Sequence, residues 1–339
     1  MIDSPQALKA FLGSLPDLEG PTPSLYIDLE GNNLSRKGTL SLVTILVEPR
    51  HTVHLVDVTG LGKLAFHTAG PDGKTLKHIL ESQEIVKVFF DIRNDSDALF
   101  GLFDIRVKGI EDIQLMELAS RGFQKRHVNG LAKCIERDSN LPFAVRREWR
   151  ASKERGHKLF DPNLGGGYAV FDERPLSAEI QKYCVQDVIH MPALRELYRA
   201  KLCDVWWRKI EAETTARINL SQGRNFNGQG MHMAKAPAGW EYFRPSLTER
   251  SSRTLLTVRR DSATASPPTS RSLASIRTSH TEDPADDILT GFGALSIQGG
   301  RSDYGRSYGY SSVSDDEDGD ARDFTACDSE CGYCGSCSY

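Results

Sequence analysis

Two carboxylates two residues apart, Asp28 and Glu30 in the run Leu25-Tyr26-Ile27-Asp28-Leu29-Glu30-Gly31, are the first chemically pointed feature of this chain. The run is β-rich, and successive side chains of a strand alternate. Leu25, Ile27 and Leu29 therefore share one face, and Tyr26, Asp28 and Glu30 share the other. Strand interiors disfavour Asp, and two acids side by side repel unless water or a shared cation neutralises them. A divalent ion or a wet second face would each satisfy this segment taken alone. A second acidic stretch, Asp91-Ile92-Arg93-Asn94-Asp95-Ser96-Asp97, follows an apolar run. A strand should end at Asp91 and a helix open at Asn94 or Asp95, which puts an acid at the carboxyl edge of a sheet, where ligands gather. An acid in a first helical turn also complements the helix dipole without any ligand, and Asp91, Asp95 and Asp97 stay equivalent on these grounds. Third, Tyr183 and Asp187 stand four apart in a helical pattern. That spacing stacks phenol and carboxylate on one face, either as a working pair or as a half-buried tyrosine beside a solvated aspartate.

The elements that must position these groups can be read from the same pattern. Short β-rich runs over 25–31, 40–49 and 52–58 come in quick succession and predict an antiparallel meander. A helix over 76–82, a strand over 85–91, a helix over 94–103, a strand over 109–113 and a helix ending at Ser120 then alternate. Together they predict an α/β domain, a mixed β-sheet flanked by helices. The longest helical candidate spans 176–202, with Ser177 as N-cap, Glu179 in the first turn and Pro192 as a kink or break.

Asp-x-Glu on a first strand, Asp after a later strand and Tyr-x-x-x-Asp in a late helix resemble the DEDDy subgroup of 3′-5′ exonucleases, the ribonuclease D-like family, as found in exonuclease-domain-containing proteins common in fungi. The segment Arg174-Pro175-Leu176-Ser177 leading into the Tyr183 and Asp187 helix is especially similar, and the likeness spans about residues 20–202. It implies a ribonuclease H-like fold and selects Asp95 from the second acidic stretch. It further implies two Mg²⁺ or Mn²⁺ ions, which hard oxygen ligands suit, held by Asp28, Glu30, Asp95 and Asp187. By the resemblance Asp28 bridges both ions, Glu30 and Asp187 complete the site of the nucleophilic water, Asp95 holds the second ion, and Tyr183 aligns the water. The implied substrates are 3′ ends of single-stranded DNA or RNA. A non-catalytic RNA-binding scaffold on the same fold is the alternative, although such relatives usually lack part of the acid set.

The chain of 339 residues is 39% apolar and carries a net charge of −4, so nucleic-acid affinity would have to come from local basic patches rather than bulk charge. One such patch is Arg146, Arg147, Arg150, Lys153 and Lys158, read either as phosphate contacts or as a solvated helix face. The organisation expected is a helical lead-in over 1–19, the exonuclease domain over 20–240 with a helical extension after 202, a disordered Ser, Gly and Asp-rich tail over 241–326 that could engage protein partners, and a Cys-rich motif over 327–339. Cys327, Cys331, Cys334 and Cys337 have spacings that zinc allows, and equally suit a redox or lipidation site or an unstructured thiol cluster. The longest apolar stretch, near 40–47, is far too short to span a bilayer, and the first residues lack the pattern of a secretory signal. The expected setting is intracellular, nucleus or cytoplasm.

Overall fold

The structure, a computed structural model, describes residues 1–249 except Pro21, Pro49 and Leu247. From residue 250 on, the tail expected to be disordered and the four terminal cysteines with their zinc reading lie outside the described residues. Strand β1 (Leu25–Glu30) lies at the middle of a five-stranded sheet of order β3-β2-β1-β4-β5. It pairs antiparallel with β2 (Leu42–Val47), which pairs antiparallel with β3 (Thr52–Asp57). On its other side it runs parallel to β4 (Lys87–Phe89), which is parallel to β5 (Ile110–Asp112). This is the mixed sheet that the meander followed by strand-helix alternation predicted.

The helices, in chain order, are α1 (Pro5–Ser14), α2 (Val58–Leu61), α3 (Leu64–His67), α4 (Leu76–Glu81), α5 (Arg93–Phe103), α6 (Ile113–Ser120) and α7 (Leu131–Asp138). After them come α8 (Phe143–Phe160), α9 (Ala178–Val188), α10 (Met191–Arg199) and α11 (Asp204–Gln222). Alternation along β1 divides the core as its sequence requires. Leu25, Ile27 and Leu29 pack with Val43, Ile45 and Val47 of β2 and with α1 to α5 on one face. Tyr26 packs with Leu46, Val88 and the helices α6, α7, α10 and α11 on the other. A third cluster, Leu42, Leu55, Phe160, Phe171, Leu176, Ile180 and Cys184, wedges α8 and α9 against the end of that second face. The face that carries Asp28 and Glu30 is thus roofed by α8 and α9.

Several boundaries differ from expectation for local reasons. The long helix expected over 176–202 is two helices, broken at Ile189 and His190, and Pro192 falls in the first turn of α10, where its missing N–H needs no partner. The lead-in is integral to the sheet: Ile2 exchanges backbone hydrogen bonds with β3, and Leu8, Phe11 and Leu12 of α1 are buried in the core. Packing also continues past 240, since Trp206 meets Trp240 at 5.1 Å and Phe243 at 4.8 Å between ring centroids, and Glu241 pairs with Arg126. Among the described residues no helix is long and apolar enough to cross a membrane.

Candidate active site

Asp28 and Glu30 emerge side by side at the carboxyl end of β1, in register with Thr44 and Leu42 of β2. Gly31 must follow them, because a Cβ there would lie 2.1 Å from the Thr39 carbonyl oxygen where the chain turns back toward β2. Helix α9 supplies the third acid. Ser177 caps it by accepting from the Ile180 N–H, and Arg174 anchors its lead-in to the Asp57 carboxylate and the Phe171 carbonyl. With the helix so placed, ligand atoms of Asp28, Glu30 and Asp187 all lie within 4.8 Å of one another.

The equivalence of Asp91, Asp95 and Asp97 is resolved by arginines distant in sequence. Asp91, at φ 63° in the left-handed region that Asp tolerates, turns the chain from β4 into α5 and is paired with Arg93 and Arg217. Asp97 is paired with Arg36 from the β1–β2 connection. Asp95 is 7% exposed, and the carboxylates of Asp28 and Asp91 join burial in raising its carboxyl well above the usual range. Asp91 and Asp97 are thus committed to ion pairs, while Asp95 feels the Asp28 charge but stands outside the group of Asp28, Glu30 and Asp187 whose ligand atoms lie within 4.8 Å of one another.

Burial first, and the Asp187 charge second, push the Asp28 carboxyl up to about 8, against the opposing pull of Lys153. Glu30 is raised well above its ordinary value by burial and by Asp28 and Asp187. Asp28, Glu30 and Asp187 crowd together with a single ammonium, that of Lys153, beside them, and the carboxylate donor set fits a hard divalent cation. The Thr44 hydroxyl opposite Asp28 is buried with no hydrogen-bond partner among the described residues, so a polar group that needs a water or ligand partner stands beside the acids. Tyr183, one turn before Asp187, has its phenol held far up by burial and by the nearby Asp187, Glu30 and Asp28 carboxylates. It stays a neutral hydroxyl near neutrality, able to orient a water but not to act as its base.

The sequence profile of the 3′-5′ exonuclease family matches residues 1–200, more than half of the chain. The chain belongs to the 3′-5′ exonuclease family. Among solved structures it is similar to Trypanosoma brucei RNase D in a GMP complex, with 22% identity and a TM-score of 0.56, over 70% of this chain and 69% of that one. The same enzyme in complex with RNA U12 gives 20% identity and a TM-score of 0.54, over 70% and 76% of the two chains. At these identities the likeness establishes a common fold, the ribonuclease H-like exonuclease fold. No curated protein sequence matches significantly.

The basic residues of α8 fall into different surroundings. Arg146 donates to the Glu136 and Leu141 carbonyls and Arg150 pairs with Glu136, so both are tied to α7 and its exit. Lys153 turns inward and donates to both oxygens of Asp187 at 2.6 and 2.7 Å. Arg147 and Lys158 are exposed and remain available to phosphates. Lys153 is the functional neighbour that sequence reasoning misplaced; its signal was the pair of small residues Ser152 and Gly156, four apart in a helix of bulky charged ones. Gly156 admits Tyr183, since a Cβ there would lie 2.5 Å from the Tyr183 ring. Gly156→Ala should therefore cost about 1–3 kcal/mol through overpacking, although alanine is the better helix former. Urea unfolding measures this, and a more stable variant would show that α8 does not press on Tyr183.

Proposed function

We propose that this chain is a two-metal-ion 3′-5′ exonuclease that removes nucleoside monophosphates from the 3′ ends of single-stranded nucleic acid. The observation that carries the reading is the meeting of Asp28, Glu30 and Asp187 within 4.8 Å, from a central strand and a helix far apart in sequence. Asp28, Glu30 and Asp187 would hold one Mg²⁺ or Mn²⁺, and Asp28 with Asp95 the other. Such a pair, about 4 Å apart, supplies a nucleophilic water at neutral pH and stabilises the leaving 3′-oxygen. Tyr183 orients that water through its neutral hydroxyl, while Arg147 and Lys158 offer non-specific phosphate contacts. The RNA complex of the similarly folded RNase D supports a nucleic-acid substrate, and the family supports the polarity.

The test is degradation of 3′-labelled and 5′-labelled single strands of DNA and RNA in Mg²⁺ or Mn²⁺, with and without EDTA. Release of the 3′ label first, as mononucleotide and only with metal, is the expected result. A second reading, binding without cleavage, is favoured by one observation, the Lys153 ammonium lodged on Asp187. Strand binding with no label released in either metal would establish it instead.

A further inference from the structure

Helix α8 buries a stripe of Trp149, Ser152, Gly156 and Phe160, at spacings of three and four. Lys153 adjoins that stripe, and its side chain is only 17% exposed. A lysine at the margin of a buried face ordinarily carries its charge outward along its flexible stem. Here the stem runs inward, and Nζ engages both carboxylate oxygens of Asp187 while lying 3.3 Å from the centre of the Tyr183 ring. A cation at that ring face is attracted by the ring as well as by the carboxylate.

The position is set by helix packing. Trp149 Nε1 donates to the Gln186 carbonyl at 3.5 Å, and the missing side chain of Gly156 lets α8 lie directly on Tyr183. Lys182 pairs with Glu148 at 3.1 Å and Arg155 with Glu179 at 3.4 Å, exposed pairs that add little energy but share the same register. Moving Lys153 away bodily would require α8 to leave α9.

Asp187 is one of the acids to which the proposed function assigns a divalent ion. A metal bound to Asp187 either displaces the ammonium from an oxygen or shares the carboxylate with it, and in both cases meets its positive charge a few ångströms away. We infer that Lys153 is a tethered competitor for the cation held by Asp28, Glu30 and Asp187, so that the chain's own amine sets the divalent concentration at which the acids load. This rests on the metal-dependent reading above. Its consequence is a site that fills weakly without substrate, tuned by a residue that need not touch the reacting atoms.

The experiment is Mn²⁺ titration of the full chain without nucleic acid, read by the electron paramagnetic resonance of free Mn²⁺. Lys153→Met should bind about tenfold tighter than the wild type, because the competitor is gone and the acids keep their charge. Lys153→Arg, which keeps a positive charge beside Asp187, should bind Mn²⁺ more weakly than Lys153→Met. Thermal unfolding in EDTA and in excess Mn²⁺ is the second readout, and Lys153→Met should gain more in Tm from the metal than the wild type gains. If the methionine variant is unfolded in EDTA, Lys153→Gln takes its place. Equal or weaker Mn²⁺ binding in the folded variant overturns the competitor and leaves the metal site standing. No Mn²⁺ binding by wild type or variant overturns the metal reading and the competitor with it.

Discussion

Asp28→Asn should lose on the order of a thousandfold in cleavage rate, about 4 kcal/mol of transition-state stabilisation, while the folded chain becomes no less stable in EDTA. The loss follows from position: Asp28 lies on the central strand within 4.8 Å of the ligand atoms of Glu30 and Asp187, and its charge also reaches Asp95. Retained stability follows from the same crowding. Burial and the Asp187 charge raise the Asp28 carboxyl from 3.8 to about 8, so the native chain holds a proton that the unfolded chain releases. The Asp28 contribution to native stability then falls as pH rises between about 4 and 8, and asparagine at this site removes that share of the slope and leaves the shares of Glu30, Asp95 and Asp187. Denaturant unfolding in EDTA at several pH values, beside a 3′-label release assay, reads both effects. A variant that lost activity through unfolding would lose stability first, and a variant that still cleaved would remove Asp28 from the chemistry.

That asymmetry between what Asp28 does for function and what it costs the fold is why the site was legible in the sequence. Asp and Glu two apart on a strand, with leucines and an isoleucine on the opposite face, need no tertiary information to be recognised as an anomaly, and the burial on both faces bears out the alternation. The Tyr183 and Asp187 pair is local in the same way, one helical turn fixing the relation. Pro192 was equally readable as a break, although which residues would form the gap depended on how α9 and α10 each find a partner. What was not legible is whatever long-range partners decide. Asp91, Asp95 and Asp97 look alike along the chain, and only Arg36, Arg93 and Arg217, which reach them in the fold, take two of the three away. Lys153 was read as one charge in a basic helix; Trp149, Ser152, Gly156 and Phe160 mark the face that α8 buries, but that this face meets Tyr183 and Asp187 is decided by the fold.

Arg217→Leu should destabilise the domain by about 3–5 kcal/mol, the largest stability effect expected of any single change here. Arg217 lies on α11, 3% exposed, and its guanidinium donates to Asp112 at 2.8 Å, to Gln114 at 3.0 Å and to Asp91 at 3.4 Å. Asp112 is fully buried at the end of β5, where it also accepts from the backbone N–H groups of Asp91, Ile92 and Gln114. A leucine would leave that buried carboxylate with its three amide donors but without its guanidinium partner, and breaking one side of a buried pair is far more damaging than replacing both. The double change Arg217→Leu with Asp112→Asn should therefore recover part of the loss, which urea unfolding of the four chains would quantify as a coupling energy. The same network sets the turn from β4 into α5 through Asp91, and so the aim of Asp95. If Arg217→Leu costs under about 1 kcal/mol, the network is solvated in practice and the placement of Asp95 must come from the sheet and α5 alone.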